Sequence, residues 1–435
     1  MSISMPEQNE TSEVSVNTSV TKKCSPKSDS PTNTAVSRTQ KYNDLTAIPN
    51  FLPDSNEAEE PVYLDERIAI PNLKYKNHGT EEEALKVLQL AIKFKNSSKL
   101  EKAKKLFEHA LSLQPLQPDV INSYAEFLEE HANDLITADH LYVKTLTLCP
   151  NHSKALINRN RTMSIVELMD EQEFVKIDKK RNDLINRNHN ESFMKHIKKE
   201  VYFLHIHHTV AIEGNTMSLA ETRKVVETKL VIPGKSIREH NEILGLDSAL
   251  RFMNQTYVNH SRPLSLFDIL QIHKRVLGHV DPISAGSLRE SQVFVGEYVP
   301  PPASEVEFLM EQFVDWFKME NMTHLHPVKK AALAHYKFIH IHPFMDGNGR
   351  TARLLMNLVL MRAGYPPVII WKKDRSVYFE MLQIANEGDI RPFIRFIVSC
   401  TEYILDVFLN DGEYDTTYLK ALHSEMACQT DLIPL

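Results

Sequence analysis

HPFMDGNGRTAR, residues His342 to Arg353, stands between two helix-forming runs. Upstream lies ALAHYKFIH, in a helix opened by Pro327, and downstream lies TARLLMNLVLMRAG, with Gly364 placed to end the second helix and Pro366-Pro367 beyond it. Asp346-Gly-Asn-Gly349 therefore falls at the mouth of the downstream helix. Free backbone amides and the positive helix end make an anion site there, and glycine lets the backbone approach closely. Arg350 and Arg353 add two cations in the first turn, an unfavourable place unless an anion answers them. The arrangement predicts a bound phosphate chain. His342 lies beside it, with the side chain best suited to accept a proton near neutral pH. Asp346 offers an oxygen ligand for a Mg2+ riding on phosphates. A base, a metal carboxylate, a glycine cradle and paired arginines fit nucleotidyl or phosphoryl transfer.

Composition narrows the field. The 435 residues carry a formal net charge of −7, with 50 Lys and Arg against 57 Asp and Glu. No basic stripe appears, which sets nucleic-acid binding aside. At roughly 100–200 residues per domain the length predicts two or three domains, and a 42% hydrophobic content is enough for buried cores. Cys24, Cys149, Cys400 and Cys428 are widely spaced, which suggests separate structural thiols, neither a disulfide framework nor a zinc cluster. His205, His207 and His208, or His340 with His342, invite a metal-hydrolase reading, but the surrounding periodicity is helical. No P-loop signature occurs.

The fold class reads as mainly α. Residues 1–80 are rich in Ser, Thr, Asn, Pro and Glu and read as a disordered tail. Within 81–152, FEHALSLQP from Phe107 recurs as YVKTLTLCP from Tyr142, a spacing of 35 residues, so the region resembles two tetratricopeptide repeats. Two amphipathic helices sharing a stop signal would read similarly. A charged stretch, 153–192, forms a connector helix, and a helical region follows over 193–410, with its core at about 264–399 and a tail at 411–435. Ser218-Leu-Ala-Glu221 is a capping box, and Ser265 marks a further helix start. Gln292 to Pro301 (QVFVGEYVPP) breaks the helical pattern and reads as a short hairpin or extended flap able to pair with a target segment. Glu213, in TVAIEGN from Thr209, falls at a helix C-terminus with Gly214 as its stop. A carboxylate there opposes the helix dipole and wants a cation, and none lies within the next few residues.

H-P-F-x-D-G-N-G-R is the signature of the Fic family of protein adenylyltransferases, and residues 81–410 resemble its animal, repeat-containing members. The resemblance implies a helical Fic core that transfers AMP from ATP to a Ser or Thr hydroxyl of a protein, with Mg2+ or Mn2+. His342 would deprotonate the acceptor and Asp346 would hold the metal. Asn348 and the amides of Gly347 and Gly349 would bind phosphates, Arg350 and Arg353 the triphosphate, with Thr351 and Ala352 in the same turn. Val295, Gly296, Glu297 and Tyr298 would border the nucleotide from the flap, where Glu-Tyr replaces the histidine-containing pair expected of the family. Tyr378, Phe379 and Asn386 match adenosine-pocket positions, although the residues alone read equally as core aromatics and a helix-end Asn. Glu213 matches the inhibitory [ST]-x-x-x-E-[GN] motif, pairing with Arg353, and implies autoinhibition together with removal of AMP from the modified target. By the same resemblance the target is an Hsp70-class chaperone, and the enzyme forms a homodimer through the Ile237 region. The chain shows no signal peptide or membrane span, which points to cytoplasm or nucleus. Relatives act in the endoplasmic reticulum through an N-terminal anchor, and sequons such as Asn254-Gln-Thr256 keep that compartment open if an anchor is missing here. A non-catalytic repeat adaptor retaining a nucleotide-binding Fic fold is the competing reading.

Overall fold

A computed structural model describes residues 79–187, 191–258, 262–296, 298–318 and 325–409. The tails read at 1–80 and 411–435 lie almost wholly outside them, as does Glu297. Fourteen α-helices make up the described architecture. In order they are α1 (Glu81–Asn96), α2 (Leu100–Leu113), α3 (Pro118–Phe127), α4 (Leu135–Leu148), α5 (Ser153–Asn186), α6 (Glu191–Ile212) and α7 (Leu219–Thr228). Then come α8 (Ile237–Met253), α9 (Leu266–Leu277), α10 (Val306–Lys318), α11 (Pro327–Ile341), α12 (Asn348–Arg362), α13 (Arg375–Asn386) and α14 (Arg391–Leu409). There is no sheet among the described residues, and the expected hairpin is a single antiparallel bridge between Val295 and Tyr298. No described helix is long and apolar enough to cross a membrane.

Local chemistry sets the helix ends. Ser218 with Glu221, Ser236 with Glu239 and Ser265 with Asp268 close reciprocal capping boxes at α7, α8 and α9, each satisfying otherwise orphaned amides. The two copies of the sequence repeat end alike: Gln114 after α2 and Cys149 after α4 share nearly the same backbone angles (φ −138°, ψ 79° and φ −139°, ψ 87°). Phe107 and Tyr142, the aromatic positions of the repeat, are both buried in one apolar cluster formed by α1 to α4.

A larger cluster gathers α6 to α14 around α12. Leu354, Leu355, Met356, Leu358 and Leu360 are all fully buried, so α12 is apolar on nearly every side and becomes the central helix. At 34 residues, α5 spans about 51 Å and packs against both α4 and α14. A buried ionic cluster ties these parts together: Arg391 on α14 donates to Asp139 on α4 at 2.5 Å and to Asp389 at 2.7 Å, while Asp389 also meets His140 at 3.0 Å. Cys400 is a buried free thiol.

Candidate active site

The turn between α11 and α12 is fixed by its own side chains. His342 caps α11 in the left-handed region (φ +51°), a conformation that costs a non-glycine residue energy and turns the chain sharply. Its Nδ1 faces the Ile339 carbonyl at 3.4 Å, which leaves Nε2 as the outward, proton-accepting nitrogen. Burial is the main cause that pushes the His342 imidazole down to about 4, and the nearby Arg289 cation acts in the same direction. The ring is therefore neutral at pH 7.

Asn348 closes the loop: its Nδ2 donates to the Phe344 carbonyl (2.8 Å) and its Oδ1 accepts from the Phe344 amide (2.9 Å). Phe344 stacks on His273 with ring centroids 3.5 Å apart. The Gly286 amide donates to His273 Nδ1, so Nε2 carries the proton and donates to the Asp346 carbonyl (2.9 Å). Gly347 is left-handed (φ +80°) and opens α12.

The cradle holds unsatisfied donors. Arg350 is buried, and one of its nitrogens donates to Asp346 Oδ1 (3.0 Å), yet its Nε and Nη1 have no partner among the described residues. The same holds for Arg353 Nε and Thr351 Oγ1. Buried unpaired donors are costly and mark a place for a missing acceptor. Ala352 is fully buried on the core side of α12.

Glu213 fills part of this space. Its Oε1 accepts from Arg353 Nη2 at 2.5 Å across 140 residues of chain, and the same nitrogen reaches the Thr209 carbonyl (2.9 Å). A Cβ on Gly349 would lie 2.3 Å from Glu213 Oε1, so the carboxylate rests directly on the glycine backbone at the helix mouth. The cation that Glu213 lacks locally is thus supplied by Arg353.

Around this centre stand the remaining expected residues. Tyr378 is buried behind Arg353, 3.4 Å from Arg353 Nη1 and 3.0 Å from His335 Nε2. Phe379 is partly exposed beneath the Arg375 guanidinium, and Asn386 Oδ1 accepts from Tyr336. In the flap, Val295 and Tyr298 exchange two backbone hydrogen bonds of 3.0 Å around left-handed Gly296, and the Tyr298 hydroxyl donates to the His340 carbonyl (2.7 Å). Asp346 sits at the rim with its carboxylate half exposed, its Oδ2 meeting Arg238 on α8 at 3.0 Å.

Two residues of consequence escaped the sequence reading. One is His273. The other is Arg289, buried with no carboxylate against it among the described residues, whose guanidinium donates to the carbonyls of His342 (2.8 Å), Ser291 (3.1 Å) and Pro301 (2.5 Å), and so joins the α11–α12 loop to the base of the flap. Neither sits in a motif; both act on backbone carbonyls.

A helical core presenting a histidine, a glycine-opened helix mouth and two buried arginines defines a phosphate-handling transferase class. Residues 263–360 match the Fic/DOC family. The chain is 49% identical over 378 residues to a protein of Culex quinquefasciatus named Protein adenylyltransferase Fic, covering 83% of this chain and 75% of that protein. A protein of the same name from Aedes aegypti is 50% identical over 381 residues, covering 83% and 76%. The solved structure of Fic-1 from C. elegans superposes with a TM-score of 0.71 at 38% identity, covering 79% of this chain and 99% of that one. The chain belongs to the Fic family of protein adenylyltransferases.

Proposed function

We propose that the chain transfers AMP from ATP to a Ser or Thr hydroxyl of a protein and that Glu213 restrains this reaction. The observation that carries the reading is the Glu213 carboxylate lying on Gly349 and paired with Arg353, beside buried Arg350 donors that lack an acceptor. An ATP triphosphate supplies the acceptors those donors need, and Glu213 competes with it for Arg353.

In transfer, neutral His342 accepts the acceptor's proton as the hydroxyl oxygen attacks the α-phosphorus. The new O–P bond forms, the bond to the β-phosphate oxygen breaks, and pyrophosphate leaves. Arg350, Arg353 and the helix mouth hold negative charge as it shifts to the leaving group. Asp346 fits a divalent ion carried on phosphates: one half-exposed carboxylate at the rim suffices, because Mg2+ keeps waters and phosphate oxygens as its other ligands, and the oxygen donor equally suits Mn2+. When bound, that ion neutralises the departing pyrophosphate. For AMP removal, Glu213 would orient and deprotonate a water that attacks the phosphorus of the AMP-modified hydroxyl; the bond from phosphorus to the protein oxygen would break, the water's proton would pass by way of His342 to that oxygen, and AMP would leave.

The proposed acceptor is an Hsp70-class chaperone, docked by α1 to α4 read as two tetratricopeptide-like repeats. The proposed assembly is a homodimer, supported by Leu230, Val231 and Ile237, which stand 60%, 60% and 62% exposed near the start of α8.

Wild type, Glu213→Gly and His342→Ala are to be incubated with Mg2+, Hsp70 and ATP labelled on the α- or the γ-phosphate. Protein label from the α position alone, strong in Glu213→Gly, faint in wild type and absent in His342→Ala, is expected. Label from the γ position would identify a kinase. Nucleotide binding without any label would favour the adaptor.

A further inference from the structure

Arg238 occupies a place where local physics disfavours a cation: it is the second residue of α8, at the positive end of the helix. Two carboxylates hold it there. One of its terminal nitrogens donates to Asp346 Oδ2 at 3.0 Å, and its Nε donates to Glu242 Oε1 at 3.3 Å. The other oxygen of Glu242 accepts from Asn215 Nδ2 at 2.9 Å. Asn215 is buried and belongs to the loop that follows Glu213; it is fixed further by the Glu239 carbonyl and the Met217 amide. A continuous polar chain thus runs from the rim carboxylate through α8 to the loop that carries the inhibitory glutamate.

Both oxygens of Asp346 already have partners, although the carboxylate is half exposed. Its Oδ1 accepts from the Gly347 amide (2.6 Å) and from Arg350 (3.0 Å), and its Oδ2 has Arg238. A cation arriving on a nucleotide meets an oxygen already paired with a cation.

We propose that Arg238 is a positioning residue that stands on Asp346 in place of the metal, so that a metal-borne nucleotide displaces it and weakens the link to the Asn215 loop. The inference rests on the reading of Asp346 as the metal carboxylate. Arg238 and Asp346 are 65% and 46% exposed, so the competition is worth severalfold in affinity and not orders of magnitude.

The test titrates ATP into the whole protein calorimetrically, once with excess Mg2+ and once with EDTA, for wild type, Arg238→Ala and Asp346→Ala. The quantity read is the ratio of the two affinities, which cancels a general loss of positive charge. Arg238→Ala is expected to raise the ratio roughly three- to fivefold, because the metal no longer displaces an arginine. Asp346→Ala is expected to bring the ratio close to one. A ratio unchanged in Arg238→Ala but collapsed in Asp346→Ala overturns the role of Arg238 alone. A ratio that survives in Asp346→Ala overturns the metal reading itself, whatever Arg238→Ala does. Arg238 is mostly exposed, so its truncation leaves the fold intact.

Discussion

His342 is held in a backbone conformation that few residues adopt, with its ring half-buried. Burial lowers its pKa to about 4, against an ordinary imidazole value near 6.5. Because the folded value is depressed, the proton-accepting form is complete above the ordinary value and is lost only as pH falls toward about 4. Glu213 acts in the opposite direction, raising the His342 pKa, so removing that carboxylate leaves the ring no easier to protonate. Transfer by Glu213→Gly with saturating Mg2+ is therefore expected to show no acid limb between pH 6 and 7. Initial rates expressed as kcat/KM check this, since they report the free enzyme. A limb centred near pH 6.5 would show that the imidazole titrates like an exposed one, and that burial does not set its proton.

At the scale of elements, α8 carries two duties on its first two residues. Ile237 points its apolar side chain outward, while Arg238 reaches the rim of the cradle. If a second copy covers Ile237, Ile237→Asp places a charge in an apolar contact and should convert a dimer into a monomer, with unchanged helix content. Analytical ultracentrifugation over a concentration series checks it; a wild type that sediments as a monomer at every concentration sinks the dimer. Much at this scale was legible in sequence. Capping residues announced α7 and α9, and the glycine-rich run placed the mouth of α12, because these signals are local and chemical. The flap was legible as an interruption but not as a single bridge, since strand propensity does not fix how many hydrogen bonds form. That Asn348 also closes the loop was not legible, because its amide turns back onto the Phe344 backbone, a contact no motif encodes. The pairing of Glu213 with Arg353 bridges 140 residues, so helix-end electrostatics revealed the need for a cation while only the family resemblance named it.

Across the whole molecule, α1 to α4 form one apolar cluster and α6 to α14 another. Their connection depends on α5 and on charges out of water. Asp139 and Asp389 are almost fully buried, and Arg391 answers both while holding Asp389 well below the usual carboxylate range. Removing the arginine takes the shared cation from two buried carboxylates and leaves Asp139 with Arg159 and Thr162 and Asp389 with His140, so Arg391→Met should destabilise the protein by up to about 3–5 kcal/mol. Urea unfolding followed by circular dichroism measures the loss; a change under about 1 kcal/mol would mean the cluster is solvated and not a join. Nothing in the sequence marked this cluster, because Asp139 and Arg391 lie 252 positions apart and neither belongs to a motif. The carboxylate resting on Gly349 also limits how the protein can change over time. Under the function proposed above, plug and cargo share one floor, and any side chain added there crowds both at once. A lineage that sheds its restraint must therefore alter the plug or its stem, because the socket has no room to drift.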